Sequence, residues 1–99
     1  MGQQLSPTEL ALYRAVDEVL HYVWDPIGIS RLPQARDEYH AYLPQVFGML
    51  QEGALAGEIA RHLSQITTER MGLTERAEHD LEVAHVLREC KDVILQRQA

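Results

Sequence analysis

The chain has 99 residues, 45% of them apolar and 24% charged, with a formal net charge of −6 and one cysteine. These totals give a single domain, residues 1–99, able to bury a core without disulfides, and they argue against wholesale disorder. No apolar run approaches the length of a membrane span. Nine basic residues against fifteen acids, with no basic run, disfavour a nucleic-acid partner and suit a basic protein partner instead.

The start MGQQLSPTEL is polar and lacks the apolar segment of a secretory leader. The lone Cys90 can form no internal disulfide, so a cytoplasmic setting is expected. Met1-Gly2 with Ser6 matches a loose myristoylation pattern. Ser6 is better read as a helix cap.

Helix one opens at Ser6-Pro7-Thr8-Glu9: an N-cap, a proline at the first helical position and a glutamate three residues after the cap. Leu5 and Leu10 stand where a hydrophobic staple would place them. The apolar stripe then runs Leu12/Tyr13, Val16, Val19/Leu20 and Val23, and Asp25-Pro26 ends it. Residues 25–33 form a loop, punctuated by Pro26, Gly28 and Pro33; its Ile27, Ile29 and Leu32 are expected to fold back on the helices.

Helix two is expected over 33–52, with Ala35, Tyr39, Tyr42/Leu43, Val46 and Met49/Leu50 on its buried face. Pro44 falls inside this period, so the helix is kinked there, or broken into two short pieces sharing one face. Gly53 stops it. Helix three is expected over 55–71, with Leu55, Ile59, Leu63 and Ile66 inward and Gly72 as a left-handed cap. Thr74 then caps helix four, expected over 75–96, and Gly72-Leu73-Thr74 makes the last two helices antiparallel neighbours. The stripe of helix four is His79, Val83, Val86/Leu87, Cys90 and Val93/Ile94. No alternating strand pattern occurs. The fold class is all-α, a four-helix bundle with its second helix kinked or broken at Pro44.

Two Glu-x-x-His pairs, Glu18 with His21 and Glu82 with His85, have the spacing of di-metal bundle ligands. At about 100° per residue both pairs fall away from the apolar stripes and should face water, so no metal or other cofactor is expected. Glu58 and His62 are spaced as a surface i, i+4 pair. His79 lies on the apolar stripe and reads as a hydrogen-bonded core or interface histidine; Cys90, on the same stripe, reads as a small hydrophobe. No nucleophile elbow, phosphate loop, Cys-x-x-Cys or His-Glu-x-x-His motif appears, so no catalytic residue is assigned and an enzyme is not expected.

Trp24-Asp25-Pro26-Ile27-Gly28 is the most distinctive stretch. Trp24 reads first as the plug that pins the loop to the core, and second as one member, with Tyr39 and Tyr42, of an aromatic contact patch. With Asp37-Glu38-Tyr39, Gly53-Ala54, Glu58-Ile59-Ala60 and Met71-Gly72-Leu73, the stretch resembles a group of small helical bacterial proteins that share a Trp-Asp-Pro-Ile-Gly signature. The resemblance spans about residues 20–73 and implies an all-helical fold in a bacterial cytosol, with no catalytic residues to carry over. Where that pattern places a capping Ser or Thr after Gly-Ala, this chain has Leu55.

The function expected is an acidic protein-binding module, such as an immunity protein that neutralises a basic toxin. Its partner-binding residues would be Trp24, Asp25, Asp37, Glu38, Tyr39 and Tyr42. A homo-oligomeric structural protein, using a helix-four stripe wider than one packing face needs, is the alternative. A His/Glu metal-dependent enzyme comes third.

Overall fold

The computed structural model describes residues 5–25 and 37–98. Among them there is no strand: the chain is an all-α four-helix arrangement. The helix α1 (Pro7–Glu18) runs on into a π-helical segment, Val19–Trp24. A single turn, α2 (Asp37–His40), precedes α3 (Leu43–Gln51). The fourth, α4 (Ala56–Gln65), also continues as a π-helical segment, Ile66–Arg70, and α5 (Ala77–Gln98) closes the chain. No helix among the described residues is long and apolar enough to cross a membrane. The apolar loop over 26–33 and the start of helix two, Pro33 to Arg36, lie outside the described residues, as does the Met1-Gly2 pattern.

Local chemistry sets most of the helix ends. At the start of α1 the Glu9 backbone N–H donates to Ser6 Oγ (3.1 Å), and the Ser6 N–H donates to Glu9 Oε1 (2.9 Å), so the capping box forms. The backbone bond from Ser6 and its hydroxyl hold the Glu9 carboxyl below the usual glutamate range. The end of α3 is a left-handed stop at Gly53 (φ 81°): Gly53 N–H donates to the Leu50 carbonyl and Ala54 N–H to that of Met49. Gly72 (φ 65°) plays the same part after the Ile66–Arg70 segment.

Helix two is broken rather than gently kinked. Pro44 lacks the N–H that would reach the His40 carbonyl and its ring would clash there, so the helix cannot run through 41–44. The chain instead leaves the helix at Ala41–Tyr42, where Tyr42 N–H bonds the Tyr39 carbonyl, and Pro44 sits in the first turn of α3, where a missing N–H costs nothing.

Three local expectations are corrected. Helix four begins at Ala77, not at a Thr74 cap: Asp80 N–H bonds the Arg76 carbonyl, and the connection from Met71 is longer than a tight Gly-Leu-Thr turn. Leu55 is 62% exposed rather than on the buried face of helix three. It occupies the N-cap position of α4, has no side-chain acceptor, and receives half a capping box, its N–H donating to Glu58 Oε1 at 2.8 Å. Third, Val23 is 42% exposed, while His21 and Trp24 are buried at 3% and 1%. Bonds of the i→i−5 type put an extra residue into the last turn of helix one, as in Asp25 N–H to the Leu20 carbonyl (3.1 Å), and this turns His21 and Trp24 inward. Side chains favour the second π segment: Thr67 and Thr68 hydroxyls bond the Leu63 and Ser64 carbonyls. Those carbonyls are the α-helical acceptors of the Thr67 and Thr68 N–H groups, so the bonds compete with the i→i−4 ladder.

The core lies where all the helices meet. Leu12, Val16, Val19 and Leu20 from helix one pack with Leu43, Val46, Phe47 and Leu50 of α3. Ile59, Leu63 and Ile66 from helix three and Val83, Ala84 and Leu87 from α5 complete it. Helix one runs antiparallel to α3. At one end Gln51 Nε2 donates to Glu9 Oε2 (3.1 Å), midway Tyr13 meets Phe47 edge to face, and at the other Trp24 reaches Tyr39. The contact between α4 and α5 is the most extensive in the fold, as expected for antiparallel neighbours. On α5 the buried face is narrower than its apolar pattern implied: Val86, Cys90 and Ile94 are half-buried and Val93 is exposed.

Candidate functional site

The end of helix one meets the beginning of α5 in a buried aromatic and polar cluster. The Asp80 side chain, 2% exposed, accepts from Trp24 Nε1–H (3.0 Å) through one oxygen and from Ser64 Oγ–H (2.7 Å) through the other. Each carboxyl oxygen thus takes one buried donor that water cannot reach. Asp80 also lies within the first turn of α5, where the positive end of the helix dipole favours a carboxylate. One residue back, His79 Nε2 lies 3.1 Å from the Trp24 carbonyl and therefore carries the proton that bonds it. His79 is thus the hydrogen-bonded stripe histidine expected from the sequence.

Aromatic rings extend the cluster. Trp24 packs on Tyr39 (centroids 5.6 Å apart) and edge-on to Tyr42 (6.2 Å), and Tyr39 OH donates to Asp25 Oδ1 (2.7 Å). Asp25 takes positive φ (32°) and ends the helix. His21 sits among the rings of Tyr22 and Tyr39, its Nδ1 buried without a hydrogen-bond partner. On the rim His40 Nε2 lies 3.2 Å from Asp17 Oδ1, tying α2 to helix one.

This geometry sorts the sequence-derived binding residues. Trp24 and Tyr39 are buried in the cluster, 1% and 2% exposed. Asp25 is half-buried against Tyr39, and Tyr42 is half-buried at the helix break. Asp37 and Glu38 open α2, but their side chains lie outside the described part of the structure. Trp24 is anchored in the core by Asp80, which the sequence pattern did not single out, while the loop it was expected to pin lies outside the described residues. The available signal was an aspartate at the inward register of α5, three residues before Val83.

The metal-spaced pairs are not assembled. His21 is buried, whereas Glu18, Glu82 and His85 are exposed, and among the described residues no three His, Cys, Asp or Glu side chains converge as a metal site. Glu58 does not hold His62; it caps α4 instead. His62 Nε2 is buried and unpartnered beside a half-open groove of about 470 Å³. Burial, with Arg70 nearby, pushes its pKa down.

The outer surface of α5 carries a different feature. Glu78, Glu82, His85, Glu89 and Asp92 are spaced four, three, four and three apart, so they form one row along the helix, and every one is exposed. Among the described residues none of the row is held in a salt bridge. Beside it, Val86, Cys90, Val93 and Ile94 of α5 with Ala15 of helix one line a shallow groove of about 280 Å³, edged by Glu89. Compared with protein-family models, with curated protein sequences and with solved structures, the chain finds no match.

Proposed function

We propose that this protein is a binding module for a basic protein partner, in its most concrete form an immunity protein that neutralises a cationic toxin in a bacterial cytosol. The observation that carries the reading is the exposed acidic row Glu78, Glu82, Glu89 and Asp92 on α5, in a chain of net charge −6. Exposed carboxylates along one helix face, without a salt bridge among the described residues, make a surface potential that steers a basic partner and fixes its register, at modest desolvation cost while they stay at a rim. Asp37 and Glu38 of α2 are proposed as a second acidic element of the same module. The buried cluster around Asp80 supports the surface by fixing where helix one ends and α5 begins.

Affinity purification of the tagged full chain from lysate of its own organism tests this, comparing wild type with Glu82→Lys/Glu89→Lys and Asp37→Lys/Glu38→Lys. A stoichiometric basic partner, captured by wild type and lost from either charge-reversed variant, is the expected result. The variant that loses it identifies the surface. An acidic partner, or capture indifferent to both reversals, refutes the reading.

A further inference from the structure

The groove between helix one and α5 has more apolar character than a bundle surface requires. Val93 is 46% exposed, and Val86, Cys90 and Ile94 are only half-buried although they lie on the expected apolar stripe. Ala15 opposite them is small, so the seam between the two helices stays open along its outer side. One bank of the seam is the acidic row: Glu89 lines the groove itself, and Glu82 lies about two helical turns away on the same face.

We infer that this groove docks an amphipathic helix of the basic partner, its apolar face on Ala15, Val86, Cys90 and Val93 and its flanking lysines or arginines on Glu82 and Glu89. The inference rests on the binding-module reading and names the element of the partner and the place where it lies. Helix-in-groove recognition uses just this division, with apolar anchors at helical spacing supplying burial and charges at the margin supplying register. Charge decides between the possible occupants. A second copy packing the same seam against itself would oppose the two acidic rows, whereas a cationic helix neutralises them. Glu78 and Asp92 continue the row beyond Glu82 and Glu89, so a basic segment longer than the groove still finds carboxylates along α5.

Cys90 makes the test direct, because the chain's single thiol lies in the groove. The full-length protein is titrated with a synthetic helical peptide carrying leucines on one face and lysines beside them, against a scrambled peptide of the same composition. Peptide binding is followed by fluorescence polarisation, and thiol alkylation by mass spectrometry. The amphipathic peptide is expected to slow Cys90 alkylation about tenfold and the scrambled one to leave it unchanged, with Glu82→Lys/Glu89→Lys weakening binding about tenfold. Val93→Glu, at an exposed position that tolerates charge, is expected to abolish binding while circular dichroism stays that of the wild type. Equal protection by both peptides, or unchanged affinity of Val93→Glu, overturns the proposal. So does Cys90 protection that rises with protein concentration alone, which makes a second copy the occupant. If the natural partner is lost on reversal of Glu82 and Glu89 but kept by Val93→Glu, the groove is refuted and the acidic-surface reading stands. If neither change matters, the groove is refuted, and the binding-module reading falls with it when Asp37→Lys/Glu38→Lys is also without effect.

Discussion

Replacing Asp80 with alanine should be among the most damaging single changes in this protein. The substitution removes an acceptor shared by two buried donors, Trp24 Nε1–H at 3.0 Å and Ser64 Oγ–H at 2.7 Å, at a site 2% exposed to solvent. Hydrogen bonds to charged groups contribute about 1.5–3 kcal/mol each, and a buried donor left unpaired loses its desolvation free energy outright. Two such bonds give a destabilisation of about 3–5 kcal/mol, against a total of about 5–15 kcal/mol for a domain of this size. The melting temperature should fall by about 15–30 °C. Asp80→Asn separates charge from geometry: the amide oxygen accepts from one donor, the Ser64 hydroxyl can turn to accept from the amide nitrogen, and only charge assistance is lost, about 1–2 kcal/mol. The assay is urea unfolding followed by far-ultraviolet circular dichroism and by the fluorescence of Trp24, the chain's sole tryptophan, whose indole reports on the cluster itself. Coincident transitions validate the two-state treatment. An Asp80→Ala midpoint within about 1 kcal/mol of wild type would show that the cluster contributes little and that the reasoning is wrong.

Leu55→Ser should stabilise the protein by about 1 kcal/mol, completing the capping box that Glu58 already half forms and removing an exposed leucine; a lower urea midpoint would contradict the cap geometry. Gly48 lies inside α3 with nothing within 4 Å of an added Cβ, so Gly48→Ala should gain about 0.5–1 kcal/mol in thermal unfolding. Gly72→Ala, at φ 65°, should lose about 1 kcal/mol although its surroundings are equally open, because only the backbone conformation objects. The depressed pKa of His62 means that its contribution to stability is intact above the unfolded value near 6.5 and is lost as pH falls through that value toward the lower folded one. Urea midpoints should therefore drop more steeply for wild type than for His62→Gln between about pH 7.5 and 5, and parallel slopes would remove His62 from the account.

Much of this architecture is written in local sequence because its causes are local. The Ser6 to Glu9 box, the left-handed stops at Gly53 and Gly72, and the break forced by Pro44 each depend on a few neighbouring residues, and each forms where those residues stand. The apolar stripes of α3 and α4 are likewise legible, since a regular α-helix converts spacing into direction without outside help.

Where the helix is not regular, that conversion fails, and tertiary structure decides. An ideal α-helical wheel sends His21 to water and Val23 to the core; the π turn over Val19–Trp24 reverses them, and it is set by where Trp24 can reach Asp80, fifty-six residues away. Asp80 itself looks like one more acid in an acidic chain until Trp24 and Ser64 close around it from two other helices. The same holds for the surface: spacing alone aligns Glu78, Glu82, Glu89 and Asp92, but only the packing of Val83, Ala84 and Leu87 against the other helices determines that this row faces outward beside an open apolar seam. Short-range backbone preferences act through neighbours in sequence and can be read there, whereas burial, and the direction a distorted helix turns its side chains, depend on partners that only the folded chain brings together.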